Sequence, residues 1–128
     1  MLYASIIDPM KATEYNWDDV PADNPIPLLT RNKVLGEKML AAKVFLEKGC
    51  HVATHRHESE QISITISGSV LWHLGEPGSD DYRDVVISGG EVLVIPGNEW
   101  HSVDTLEDTL IYDILSPIGP MGVDSQKS

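Results

Sequence analysis

A chain of 128 residues with 41% apolar and 23% charged residues can close one hydrophobic core but is too short to build two, so a single globular domain is expected. The formal charge of −11, with nine Lys and Arg scattered and no basic stripe, would repel a phosphate backbone and argues against nucleic acid as a partner. A small anionic molecule stays open, because one metal ion or one arginine reverses the potential locally.

The opening stretch MLYASIIDPMKATEYNWDD lacks a basic region followed by a sustained apolar run. Nowhere does the chain approach the roughly 20 apolar residues that cross a bilayer. The expectation is no secretory signal, no membrane partner and, with Cys50 standing alone, a reducing cytoplasm. A first candidate strand is Tyr3–Ile7. Residues 18–29, DDVPADNPIPLL, hold three prolines and cannot form an interior strand, since proline has no amide hydrogen for a ladder. An arm or edge over about residues 1–30 is expected there.

Beyond the arm, short strands alternate with glycine-bearing turns and almost no helical period appears. The candidates are Met39–Glu47, Gln61–Ser67, Ser69–Leu74, Asp84–Ile87, Glu91–Ile95, Trp100–Asp104 and Thr109–Leu115. Such spacing predicts an all-β sandwich or barrel over about residues 31–117. The remainder, SPIGPMGVDSQKS, has the composition of a loose tail from about residue 118.

In THRHESEQI, residues 54–62, His55 and His57 fall on one face of an extended segment and Arg56 on the other. Continued phase brings Gln61 to the histidine face and Glu60 to the opposite one, although a turn between His57 and Gln61 would reverse that choice. His101 follows GGEVLVIPGNEW, where a strand ends in a Pro-Gly turn. His51 shares the phase of His55 but lies about 13 Å away along a straight strand, too far to share an ion. His51 and His73 therefore read as ordinary surface or core histidines and Cys50 as a packing residue; Arg31 and Lys43 are the remaining cations that could face a barrel interior, with a surface position the favoured reading for each.

Two further patterns carry expectations. In QISITIS, Gln61, Ser63, Thr65 and Ser67 share one face while Ile62, Ile64 and Ile66 form a stripe on the other. If Gln61 points inward, the isoleucines point out, and a second copy of the chain is expected to cover them in a homodimer. The alternative cover is the arm, through Ile26, Leu28 and Leu29. In LIYDILS, Asp113 lies between Ile111 and Leu115 on one face. It is either a partly buried carboxylate with a raised pKa, suited to moving protons, or a rim carboxylate bonded to a neighbouring strand.

The run Gly49, His55, His57, Gln61, Gly68 resembles the first motif of the cupin superfamily, G(X)5HXH(X)3E(X)6G, with glutamine in place of glutamate. The run Gly90, Pro96, His101 resembles the second, G(X)5PXG(X)2H, with Asn98 where a glycine usually stands. The resemblance, to small single-domain RmlC-like cupins, implies a double-stranded β-helix, or jelly-roll, barrel. It also implies one divalent transition metal (Fe, Ni, Zn, Mn or Cu) held by His55, His57, Gln61 and His101. A neutral amide leaves such an ion its full charge, which makes it a stronger Lewis acid and favours non-redox chemistry.

The stretches RNKVLGEKMLAAKVFLEKG, EQI and LEDTLIYDILSP are similar to a subset of cupins that open the ring of unsaturated uronates from pectin and alginate. This chain departs from the subset in having Ile118 and Gly119 where an arginine follows Ser-Pro. The resemblance implies a metal-dependent enzyme acting on a small polar molecule, a sugar acid or carbonyl compound, by isomerisation, ring opening or lyase chemistry, with Asp113 as the catalytic proton carrier. A cupin dioxygenase is the alternative enzyme, and a non-catalytic small-molecule sensor the alternative from another class.

Overall fold

Inward apolar and outward polar residues alternate along most of the strands, and this alternation closes one antiparallel barrel. The computed structural model describes residues 11–126, and the candidate strand Tyr3–Ile7 lies outside them. In chain order the strands are β1 Ala22–Asp23, β2 Leu29–Leu35, β3 Leu40–Leu46, β4 His51–His55, β5 Glu60–Leu74, β6 Arg83–Ser88, β7 Val92–Ile95 and β8 His101–Ser116. Hydrogen-bonded neighbours run β1-β2-β3-β8-β5-β6, with β4 added on β8 and β7 on β5. The architecture is the all-β jelly-roll.

Strands β5 and β8 form its spine. The first half of β8 pairs with β4 and the second half with β3, while β5 pairs first with β7 and then with β6. Each of these strands thus serves both layers of the barrel. Four of the expected strands are therefore two. Gln61–Ser67 and Ser69–Leu74 join as β5, and Trp100–Asp104 and Thr109–Leu115 join as β8. Ser67-Gly68-Ser69 forms a bulge inside a strand rather than a glycine-bearing turn between strands: the β5–β8 register slips between Thr65 and Val70, and Gly68 sits there at φ +93°. A Cβ on Gly68 would strike Thr109 and the Asp108 carbonyl.

A second correction concerns the arm. β1 is a two-residue edge, as prolines require, but β2 begins inside the proline-rich segment and pairs along its whole length with β3. Ile26 and Leu29 belong to the barrel core with Leu40, Val44, Leu46, Val70, Trp72, Ile95 and Leu115. They do not cover the isoleucine stripe. That stripe does face outward: Ile66 is 50% exposed, and Val92 and Val94 on the paired strand β7 are each 54% exposed. Ile62 pairs with Val94 and Ile114, and Ile64 with Val92 and Tyr112, so the apolar patch spans three strands. Among the described residues no helix is long and apolar enough to cross a membrane.

Candidate metal centre

β4 ends at His55, whose Cα partner on the neighbouring strand is His101, the first residue of β8. His57 lies just past the strand and is fixed by its backbone, its carbonyl accepting from the Asn98 amide at 2.7 Å. Asn98 makes that contact at φ +67°, a conformation asparagine tolerates better than other non-glycine residues, which explains how it replaces the glycine of the motif. Arg56 points away and lies 4.6 Å over the Trp100 ring. One ring nitrogen from each of His55, His57 and His101 falls within 4.8 Å of the others, a grouping that could hold a metal ion.

The tautomers follow from the partners. Nδ1 of His55 donates to the Ala53 carbonyl at 2.7 Å, Nδ1 of His57 to Ser59 at 2.9 Å and Nδ1 of His101 to Glu99 at 2.8 Å. A backbone carbonyl can only accept, so all three protons sit on Nδ1 and the three Nε2 atoms present lone pairs. This is the arrangement in which a second hydrogen bond orients a metal-binding imidazole. Nε2 of His101 is buried and has no hydrogen-bond partner among the described residues. An orphaned buried acceptor of this kind fits an ion.

Gln61 lies beside this group. Its Nε2 donates to Ser63 Oγ at 2.9 Å and to Asp113 Oδ1 at 3.2 Å. The amide is thereby oriented with Oε1 3.1 Å from His57 Nε2. Two acceptors at that distance make no hydrogen bond; they are placed as two donors to one positive centre would be. The turn after His57 therefore keeps Gln61 inward and leaves Glu60 exposed.

Asp113 is 7% exposed and aims inward with Ile111 and Leu115, so the rim alternative does not hold. Burial raises its pKa to about 6, against hydrogen bonds from Ser63 and Gln61 that lower it. Burial also pushes His101 down to about 4, with the charge of His55 adding to the effect. His55 is lowered by burial too. Near neutral pH, His55 and His101 are thus uncharged, as ligation requires.

Two features of this cavity depart from the favoured sequence reading. Arg31 is not a surface cation: it is 2% exposed and lines the same cavity as His55, Gln61, His101 and Asp113. Asp23 and Asp124 hold its guanidinium at 2.8 Å each. These bonds offset the cost of burial and leave it more firmly protonated than a free arginine. The tail is ordered around a 3-10 turn, Gly122–Ser125, and Met121, Gly122 and Val123 are buried against the cavity. Gly122 packs so closely on the His55 ring that any Cβ would overlap it. Arg31 could have been suspected from its shared phase with Leu29; the tail carried no comparable signal.

The other histidines lie outside the barrel. His73 bonds Asp84 at 2.6 Å and Asp104 at 2.8 Å, and His51 bonds Asp104 at 2.8 Å. The row ties β4, β8, β5 and β6 together. Cys50 is 1% exposed and its thiol pKa is pushed up to about 11, mainly by burial, as a packing residue requires.

The cupin domain family matches residues 42–114, more than half of the chain. The chain belongs to the cupin family. Among solved structures, KdgF from Halomonas sp. is 24% identical with a TM-score of 0.72, the match covering 84% of this cupin and 96% of that chain. An RmlC-like cupin from Shewanella frigidimarina is 17% identical with a TM-score of 0.74, over 84% and 93% of the two chains. Oxalate decarboxylase from Bacillus subtilis, described with Mn(II) centres, aligns at 15% identity and a TM-score of 0.72 over 87% of this cupin but only 32% of that chain. At these identities the likeness is one of fold. No curated protein matches this cupin.

Proposed function

We propose that this cupin is a metal-dependent enzyme acting on a small polar organic molecule, a sugar acid or carbonyl compound, by isomerisation, ring opening or lyase chemistry. The observation that carries the reading is the convergence of three tautomer-fixed imidazole lone pairs and the Gln61 oxygen beside a buried acid. His55, His57 and His101 through Nε2, and Gln61 through Oε1, are the proposed ligands. When bound, a divalent transition ion supplies Lewis acidity toward a substrate oxygen.

The chain's own residues supply the rest. Asp113, with a pKa of about 6, can release or take up a proton near neutral pH, the property a general acid or base needs. Ser63 donates to the same Oδ1 that Gln61 Nε2 reaches, which fixes that oxygen and leaves Oδ2 to exchange the proton. Trp72, Val103 and Ile111 line the cavity, are each under 5% exposed and keep the space apolar, so a charge formed there is poorly screened.

The outward patch of exposed Ile66, Val92 and Val94 with half-buried Ile62 and Ile64 supports a homodimer, and the lone reduced thiol of Cys50 a cytoplasmic location. The deciding experiment is the metal content, by mass spectrometry, of protein purified without a chelating tag. About one equivalent of a single transition metal per chain, lost on dialysis against a chelator, is the expected result. Absence of metal even after loading with Fe, Ni, Mn, Zn or Cu would overturn the reading.

A further inference from the structure

The guanidinium of Arg31 has two edges, and different parts of the chain occupy them. The side edge, Nε and Nη2, is taken by both oxygens of Asp23 at 3.0 and 2.8 Å. At the end-on edge, Nη2 meets Asp124 Oδ1 at 2.8 Å and Nη1 meets the Met121 sulfur at 3.7 Å. A thioether is a weak acceptor, so the end-on edge is half satisfied. Both of its partners come from one short turn at the end of the described chain.

Apart from Met121 and Val123, which pack on the barrel core, that turn is held to the barrel by a small set of polar contacts. Asp124 Oδ2 accepts from its own Met121 amide at 3.0 Å. The Gln126 side chain pairs with the Ala53 backbone, accepting at 2.9 Å and donating at 3.2 Å. Gly122 lies on His55. Removing the turn would therefore uncover Arg31 and His55 together. With the turn in place, the cavity they share has a volume of about 50 Å³, a third of the ~150 Å³ that accommodates one benzene. A substrate with more than a few heavy atoms enters only if the turn leaves.

We infer that the end-on edge of Arg31 is a carboxylate subsite of the cavity, capped by the Met121–Gln126 segment, with the Asp124 carboxylate holding the place of an anionic substrate's carboxylate. The inference rests on the proposed function for its substrate and narrows it to acids. A carboxylate matches the end-on fork with two parallel hydrogen bonds, where Asp124 makes one and a sulfur fills the other. The exchange thus replaces the weak contact at Nη1 by a charge-assisted one. It also leaves Asp23 in place, so the buried guanidinium is never without an anion. The substrate's far end then lies on the side of the cavity lined by His55, Gln61 and His101.

The test is an NMR titration of metal-free, chelator-treated protein with glucuronate, and with glucose as the matching ligand that lacks the carboxylate. Asp124→Asn keeps an acceptor for the Met121 amide but removes the competing charge. It should bind glucuronate on the order of tenfold more tightly than the native chain, with no gain for glucose. Gln126→Ala loosens the turn without touching Arg31 and should shift affinity in the same direction. The double variant Arg31→Gln/Asp124→Asn should lose the gain. In the native chain, glucuronate should speed hydrogen exchange at the Asp124 and Gln126 amides, which now donate within the turn. Equal gains for glucose, or no gain in either Asp124→Asn or Gln126→Ala, would overturn the subsite. Because no metal is present, a protein that binds no metal or turns nothing over would still show the gain, so the two readings fail separately.

Discussion

Replacing Gln61 by Glu tests the amide orientation on which its proposed place in the metal centre rests. In the native chain the Gln61 amide donates to Asp113 Oδ1 at 3.2 Å; in the variant, two carboxylates face each other there. At an effective dielectric constant of about 20, unit charges 3.2 Å apart repel by about 5 kcal/mol. The metal-free pair therefore keeps one proton near neutral pH rather than carrying two charges. Native Asp113 already titrates at about 6 in the folded state, above its unfolded value of about 3.9. A raised carboxylate pKa means that folding takes up a proton, so the stability it contributes is complete below pH ~4 and lost as pH rises through about 6. In Gln61→Glu the loss should extend to higher pH. If the upper titration of the pair moves from about 6 to about 8, the variant at pH 8 is a further ~3 kcal/mol less stable than the native chain, at 1.36 kcal/mol per unit. Urea unfolding of chelator-treated native and variant protein at pH 5 and pH 8 reads the difference directly. Superimposable pH profiles would mean that residue 61 does not face Asp113, and the argument that its oxygen faces His57 would fall with it.

His101→Ala should keep a folded barrel at a cost of about 2–4 kcal/mol for the lost ring and weaken metal binding by at least ~100-fold; metal analysis and circular dichroism separate the two effects. Asp113→Asn should retain a full equivalent of metal while turnover of whatever acid proves to be the substrate falls by on the order of 100-fold or more; undiminished turnover would end the proposed proton role. Gly68→Ala puts an L side chain at φ +93° against Thr109 and the Asp108 backbone, and should cost about 3–5 kcal/mol in urea unfolding from backbone strain and a parted β5–β8 ladder. Val94→Glu, on a residue 54% exposed, should leave the fold unchanged and convert a dimer to a monomer in light scattering; a native chain that is already monomeric would refute the homodimer.

The parts of this molecule legible in its sequence are those governed by local periodicity. Period-two alternation placed Gln61, Ser63 and Thr65 inward and Ile66 outward, because a strand has only two faces and one must be buried. The two histidine motifs were legible because their residues sit close in the chain and their glycines and turns have fixed geometric duties. The alternation failed where a partner lay far away. Arg31 reads as a surface cation until Asp124, 93 residues on, supplies the anion that lets it be buried. The tail reads as loose because its Gly and Pro content is that of a loop, while its order comes from contacts with Arg31 and Ala53 that no local pattern encodes. Strands β5 and β8 were split because glycine and polar residues mark turns and bulges alike, and only the register of the neighbouring strand tells them apart.

The departure of Gln61 from the usual glutamate of the motif also acquires a physical reason from its surroundings. A buried carboxylate at 113 needs hydrogen-bond donors, and the side chain at 61 lies within reach to be one. Glutamine can donate through Nε2 to Asp113 while keeping Oε1 toward the histidines; glutamate can do only the second. The amide thus joins the buried acid to the His57 imidazole through one rigid group, and that acid is the proposed proton carrier. On this argument positions 61 and 113 are a coupled pair. Restoring the glutamate while changing Asp113 to Asn should recover the pH-dependent stability that either carboxylate beside the other would lose. Failure of that double variant to recover would show that Gln61 and Asp113 act independently.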